Sequence, residues 1–535
     1  MTGVNAPSTL SSRIADTLVL DPAAPFLEFE GEWRTWGQLA MTADAVAAHV
    51  PVPGTRVGVL LRNRPAHVGL LVGLLRAGAC VVTINPSRGV DRVRADLASL
   101  GLPVLAGTPD DIVAFAGEAG DGAVAAGEIS ETGSLAGDND GIVTRLVLTA
   151  TDLGEPVSVT GRLPDDLGVL RPGVAVEMLT SGTTGPPKRI PLGYEMLLRG
   201  LVGAKHYESN QDDTPRLRSG VAIVNAPLVH MGGLFRVLQC LHDGRALCLL
   251  ERFALDTWAD AVRRHRPRTI SLVPAALRMV LEADLDPAIF ATVRSVISGT
   301  APLSPDDAEA FEARYGVPVL VSYAATEFGG GVAGWNLADH QQYGAAKRGS
   351  VGRAHAGCEL RVVGTETFEP LPPDTEGLLE VRAHQFGDGA GWVRTTDLAR
   401  LDADGFLWIV GRADQAIIRG GFKVIPDDVR AALERDPRVR GAAVVGRPDA
   451  RLGAVPVAAV ELRTAVDADE ARAVAEALRA DAARVLAAYE LPVEIRVVDA
   501  LPRTPSGKAD LGAVRELLAT PDQNQNRDQN QELEH

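Results

Sequence analysis

The stretch Leu179-Thr180-Ser181-Gly182-Thr183-Thr184-Gly185-Pro186-Pro187-Lys188 gathers the groups that hold phosphate. Glycines at 182 and 185 let the backbone take positive φ and approach a ligand closely. The threonines and the serine add hydroxyl donors, and successive exposed N–H groups in such a loop form an anion-binding nest. Lys188 adds a point charge at the far end. The apolar run 174–179 ahead of the loop reads as a buried strand, so the loop leaves a sheet edge. Its spacing, G-x-x-G-x-x-K, is not the G-x-x-x-x-G-K-[ST] loop of common nucleotide triphosphatases. A polar surface turn is the plain alternative.

Other positions carry complementary chemistry. Tyr323-Ala324-Ala325-Thr326-Glu327 follows a strand directly. There a ring can stack on a base, the Thr326 hydroxyl can touch phosphate, and the Glu327 carboxylate can hold Mg²⁺. Ser298-Gly299-Thr300-Ala301-Pro302-Leu303 is again a strand followed by a turn. In Trp392-Val393-Arg394-Thr395-Thr396-Asp397 the carboxylate accepts two hydroxyls well, which is what gripping a ribose diol requires. Arg412 and Asp414 lie in Gly411-Arg412-Ala413-Asp414, Lys508 in Pro502-Arg503-Thr504-Pro505-Ser506-Gly507-Lys508, and His230 in Ala226-Pro227-Leu228-Val229-His230-Met231-Gly232-Gly233. Taken singly, these also fit a turn, a surface ion pair, a solvated lysine and a structural histidine.

The elements that must position these groups alternate. Segment 56–61 reads as a buried strand, 65–77 as a helix, 80–84 as a strand and 90–100 as an amphipathic helix. Strands recur at 221–224, 246–250, 269–273, 295–298 and 319–322. Such alternation predicts parallel sheets covered by helices. Segment 107–157, rich in glycine and acids, reads as loops and sheet edges. After Thr395 the texture changes, and a unit of about a hundred residues follows the strand 406–410. It combines helices at 426–434 and 467–486 with strands at 439–445, 455–462 and 493–498. The expected architecture is α/β: a large N-terminal domain (1–413) of layered sheets and helices, and a small mobile α+β C-terminal domain (414–518). Residues 519–535 read as a disordered tail ending in a tag remnant.

Composition bounds the function. A chain of 535 residues needs two or more domains. Its net charge of −16 argues against nucleic acid or an acidic membrane surface as partner. Four cysteines without C-x-x-C spacing suggest neither zinc site nor disulfide framework, and a reduced cytoplasm is expected. Neither a signal peptide nor a membrane span is visible, the apolar stretch 67–84 being broken by Arg76 and glycines.

The motifs together, in order from about residue 30 to residue 515, resemble the adenylate-forming superfamily of acyl-CoA synthetases, peptide-synthetase adenylation domains and luciferases. The first loop is similar to its signature loop, 323–327 to Y-G-x-T-E, 298–303 to S-G-G-A-P-L and 392–397 to W-x-x-T-G-D. The resemblance implies that Thr180, Ser181, Gly182, Thr183, Thr184, Gly185 and Lys188 bind the phosphates of ATP. It also implies that Gly299, Thr300, Ala301 and Pro302 line the adenine beside Tyr323, Ala324 and Thr326, and that Asp397 and Arg412 hold the ribose. Lys508 matches the lysine that steadies the α-phosphate under carboxylate attack. His230 matches a gate at the acyl carboxylate, Asp414 the hinge of the C-terminal lobe, and Gly420 and Gly421 the face that meets the pantetheine arm of coenzyme A.

ATP/AMP, Mg²⁺ (on Glu327) and coenzyme A are therefore the expected cofactors, and the expected activity is AMP-forming acyl-CoA ligation through an acyl-adenylate. A monomer or homodimer is expected. No carrier domain follows Lys508, which favours coenzyme A, while a carrier protein in trans stays open. Retention of Lys508 and Glu327 argues against a non-catalytic adenylate-binding protein. Glycines are replaced by Ala324, Thr396 and Thr300, and Arg189 stands where the family places glycine. Arg189 either crowds the phosphate loop, leaving mainly the thioester-forming half-reaction, or points to solvent. The pocket candidates Val229, His230, Leu234, Phe235, Thr300, Phe328, Gly329, Gly330 and Gly331 are mostly apolar, and the glycine triplet is expected to leave room for a bulky hydrophobic acid.

Overall fold

The computed structural model describes residues 9–116, 146–180, 188–204, 214–419, 422–449, 451–504 and 507–519. Alternating apolar strands and helices give the expected parallel arrangement. Leu146–Thr149, Val104–Gly107, Arg56–Leu60, Cys80–Ile84 and Val174–Thr180 run parallel in the middle of a seven-stranded sheet. Ser158–Gly161 and Lys188–Gly193 close it as antiparallel edges. Helix Pro65–Arg76 begins on proline and is buried from Pro65 through Leu75. It is apolar all round because it is wedged between layers.

In a five-stranded sheet, Ser295–Ser298 and Val319–Ala325 are parallel neighbours. Their C-terminal ends therefore open at one edge, the usual ligand-binding edge of such sheets. Gly330–Gly334 then returns antiparallel to Val319–Ala325. A four-stranded antiparallel sheet follows, with Cys358–Val363, Glu376–Ala383, Val393–Leu401 and Leu407–Arg412 in order. The expected β-α alternation does not extend to this sheet, which forms by consecutive antiparallel returns without a helix between strands.

Segment 107–157 departs from its reading as loops and edges. It contains helix Pro109–Ala116 and the buried strand Leu146–Thr149. Proline at the helix start and Asp110 and Asp111 in its first turn are start signals that the glycine- and acid-rich composition hides.

Beyond Ile417 a second, smaller α/β unit carries its own cores. Gly453–Leu462 pairs with Val439–Asp449 and Glu494–Val498. Helix Ala468–Ala482 starts on Asp467, whose side chain accepts from the N–H groups of Asp469 and Glu470. Val429, Val444, Val460, Val474 and Leu478 fill one face of the sheet, while Val445, Val457, Leu501, Val514 and Leu518 fill the other. No helix among the described residues is long and apolar enough to cross a membrane. The tail from 520 onward lies outside the described residues.

Candidate active site

The register of the antiparallel sheet pairs Asp397 with Arg412. Tyr323, from the neighbouring sheet, donates its hydroxyl to Asp397 Oδ2. The Asp397 N–H donates to Thr395 Oγ1 at 3.0 Å, and that hydroxyl donates to the Leu379 carbonyl at 2.9 Å. Arg412 Nε stands 3.9 Å from Asp397 Oδ1, grips Asp414 through two donors (2.9 and 2.7 Å) and donates to Thr396 Oγ1 at 2.6 Å. Burial raises the Asp397 carboxyl pKa. Tyr323 and Arg412 act against that shift, and the charges of Asp414 and Glu327 add to it. Burial first, then Asp397, pushes the Tyr323 phenol upward. A link between phenol and carboxylate across two sheets was not visible in residue types alone.

Lys508 reaches this cluster from the smaller unit. Its side chain is accessible, yet the surrounding protein withdraws enough water to depress its pKa, Arg412 adding to the effect while Asp397 and Glu327 oppose it. The lysine loop is pinned internally: Thr504 N–H to the Lys508 carbonyl at 2.7 Å and Gly507 N–H to the Thr504 carbonyl at 2.8 Å. Gly507 has φ +82°, and a Cβ there would sit 3.5 Å from Val273 Cγ2. The loop thus rests on the start of helix Pro274–Glu282.

The same helix carries an ionic seam to the smaller unit. Arg278 donates to Asp307 (2.5 Å), to Glu434 (3.4 Å) and to the Arg440 carbonyl (3.1 Å). Glu282 accepts from Arg440 at 2.9 Å and Arg463 at 2.8 Å. Nothing in the motif pattern pointed to Arg278 or Glu282, because their partners in the smaller unit lie more than 150 positions away.

His230 caps helix Met231–Asp243 at the entrance of the cluster. Asn63 holds the preceding loop, donating to the Ala226 and Leu250 carbonyls (2.9 and 3.0 Å) and accepting from Leu228 N–H at 2.8 Å. Gly233 is obligatory, since a Cβ would stand 2.3 Å from the Pro227 carbonyl oxygen. His230 Nε2 is buried without a hydrogen-bond partner. Burial, then the charge of Lys508, pushes the imidazole down to about 4, so it is neutral at pH 7.

The departures from the family pattern separate cleanly. Arg189 does not point to solvent, and the loop 181–187 beside it lies outside the described residues. The Arg189 guanidinium donates to the Thr83 carbonyl at 2.9 Å and pairs with Asp96 at 2.5 Å, both on the far side of the hairpin from Lys188. Successive strand residues face opposite ways, which is why Arg189 cannot share a side with Lys188. Ala324 is exposed and lacks positive φ, so it fits without strain. Thr396 supplies an extra acceptor to Arg412. Thr300 does take φ +71°, the conformation that makes glycine common at that position.

The glycine triplet offers less room than expected. A Cβ on Gly329 would stand 2.5 Å from Met196 Cγ, and one on Gly331 would stand 2.9 Å from His355 Cε1, so both glycines answer to packing. Leu234 and Phe328 are likewise core residues, and Phe328 packs on Phe386 at 5.9 Å. Gly299 abuts the next strand, its Cβ position 3.0 Å from the Ser322 carbonyl oxygen; Ala301 and Pro302 continue the turn into solvent. Glu327 lies exposed in the turn Thr326–Phe328. Thr180 and Lys188 face each other as the closing pair of a hairpin. Ser181, Gly182, Thr183, Thr184, Gly185, Gly420 and Gly421 lie outside the described residues.

Among the described residues another possible metal cluster, Glu28, Cys248 and His265, lies elsewhere, and its carboxylate is already paired with Arg264 and His265.

The AMP-binding enzyme family matches residues 16–389, and the AMP-binding enzyme C-terminal domain matches residues 428–508. The sulfoacetate–CoA ligase of Cupriavidus necator is 30% identical, covering 94% of this chain and 96% of that protein. A feruloyl-CoA synthase of an Amycolatopsis species is also 30% identical, covering 93% and 96%. ATP-bound MatB from Rhodopseudomonas palustris has the same fold, with TM-score 0.74, 24% identity and coverage of 96% and 99%. The Bacillus subtilis o-succinylbenzoate CoA synthetase, in complex with its acyl-adenylate, gives TM-score 0.72 at 22% identity, covering 95% and 98%. The chain belongs to the AMP-binding enzyme family and is an AMP-forming acid–thiol ligase.

Proposed function

We propose that this ligase converts an apolar-bodied carboxylic acid into its coenzyme A thioester through an acyl-adenylate. The observation that carries the reading is the convergence of Lys508 with Asp397, Arg412 and Glu327, groups from separate elements near enough to act electrostatically on one another. In the first step a carboxylate oxygen attacks the α-phosphorus of ATP, a P–O bond forms, and pyrophosphate departs with the electrons of the broken bond. Lys508 places positive charge where that transition state gathers negative charge. Arg412 and Asp397 orient the ribose, and Thr180 and Lys188 flank the segment that would hold the phosphates. Gly299, Thr300, Ala301 and Pro302 lie along the adenine.

A neutral His230 beside the entering carboxylate orients it without trapping it as an ion pair. Glu327, exposed and near enough for its charge to act on Lys508 and Arg412, fits as the holder of a Mg²⁺ ion, whose charge would offset that of pyrophosphate. In the second step a thiol attacks the acyl carbonyl and AMP leaves. The smaller unit, divided from the larger near Asp414, would swing Lys508 out and bring the face of Gly420 and Gly421 in. Relatives named for sulfoacetate, indoleacetate and ferulate support coenzyme A as the thiol and leave the acid to be read from the pocket. Phe235 and Met196 bordering the glycines support an apolar body.

The test is mass spectrometry of thioester formation over one panel of acids, run in two arms. One arm contains acid, ATP, Mg²⁺ and coenzyme A; the other contains synthetic acyl-adenylate and coenzyme A. Product in both arms is expected. Product only from the adenylate would overturn the first step, and product from neither would overturn coenzyme A as the thiol.

A further inference from the structure

Gln385 occupies the short turn His384–Phe386 and is 2% exposed. Its Oε1 accepts a weak S–H bond from Cys358, at 3.8 Å, while Nε2 is buried with no partner. Native interiors rarely keep an amide donor unmet. The position toward which this one points is unusual too. A Cβ built on Gly330 would lie 3.8 Å from Gln385 Nε2, 3.5 Å from Phe235 Cε2 and 3.7 Å from Gly200 Cα. Those are ordinary contact distances, whereas the same construction collides at both flanking glycines. An added carbon at Gly330 would therefore fit without collision, in contact with a ring, a helix backbone and an unpaired amide. Gly330 follows Glu327 by three residues, and Phe235 stands on the helix capped by His230, so the position itself and one of its walls lie on or next to elements that carry candidate reacting groups.

We propose that Gln385 is a specificity-determining residue, whose Nε2 donates to an acceptor oxygen carried by the acid several bonds from its reacting carboxylate. The inference rests on the ligase reading above and narrows its substrate class. The acid has an apolar middle, which Phe235 and the glycine backbone accommodate, and a distal carbonyl, ether or second carboxylate oxygen. A purely hydrocarbon acid leaves the amide unmet in the complex as well, and a site built around a polar contact discriminates against the analogue that lacks it.

The experiment uses acid pairs that differ by one exchange of a distal CH₂ for C=O, with the carbonyl moved along the chain. One arm replaces the carbonyl with a second carboxylate. The kcat/KM ratio within each pair is read for the wild type, Gln385→Leu and Gln385→Glu. A ratio taken within one variant does not depend on how much of that variant is folded. At the best carbonyl position the wild type is expected to prefer the oxygen-bearing acid by about 5- to 150-fold, the range for one buried polar group left unpaired. Both variants, which lack the donor, should bring the ratio toward unity. A ratio near unity at every position in the wild type, or one that survives both substitutions, would overturn the proposal. Absence of thioester from every acid in the wild type would overturn the ligase reading itself, and this inference with it.

Discussion

At the scale of the residue, charge placement decides most of what can be measured. Lys508 acts as an ammonium, and its surroundings lower its pKa from the ordinary value. Adenylation should therefore fall as pH rises through a value below about 10.4, and the alkaline limb should retreat upward in Lys508→Arg, because guanidinium does not titrate there. A pH profile of pyrophosphate release reads both limbs, and coincident limbs would remove Lys508 from the step. His230 works in the other direction. Its folded-state value of about 4 lies below the ordinary 6.5, so stability is intact above pH 6.5 and drains as pH falls toward 4. Replacing it with Asn should flatten that part of the melting-temperature profile, which carries up to ~3 kcal/mol. Arg189 is held by Asp96 and the Thr83 carbonyl. Arg189→Gly should therefore cost about 1–3 kcal/mol in chemical denaturation without raising pyrophosphate release.

At the scale of the element, the seam along helix Pro274–Glu282 ties the unit that carries Lys508 to the larger one and should set how often Lys508 is in place. Arg278→Met removes donors to Asp307, Glu434 and the Arg440 carbonyl. Losing about 1.4 kcal/mol of latch would lower pyrophosphate release tenfold, while thioester formation from supplied acyl-adenylate should stay level or rise. Equal losses in both half-reactions would make Arg278 merely structural. The sequence singled out the groups proposed to meet ligand but not this latch. Motif residues are recognisable because their chemistry requires particular neighbours in the chain: Tyr323 next to Thr326 and Glu327, or Asp397 after two threonines. Arg278 and Glu434 are an ordinary arginine and glutamate until the fold brings them together. Helix Pro109–Ala116 escaped notice for a related reason, since its two turns were masked by a glycine-rich neighbourhood. The room expected from the glycine triplet was misjudged because a missing side chain in sequence is not an empty volume in three dimensions. Met196 and His355 come from distant elements to fill it.

At the scale of the whole molecule, two sets of buried cores meet across a surface of arginines and carboxylates. A non-hydrolysable acyl-adenylate analogue touching both sides should couple them, stabilising the folded state by about 2.7 kcal/mol at a hundredfold excess over its Kd. Calorimetry would read this as one merged transition, and persistence of two separate transitions with the analogue bound would count against a site shared by both units. Among the described residues, three of the attachments lie along a single helix of nine residues, ~13 Å from end to end. Gly507 lies beside its beginning, where an added Cβ would reach Val273 and Ala275, Arg278 grips its middle, and Glu282 is tied at its end. Salt weakens the second and third of these attachments but not the first. The smaller unit should therefore peel from the Glu282 end and pivot on Gly507, so that Lys508, one residue from the pivot, is the last group to leave.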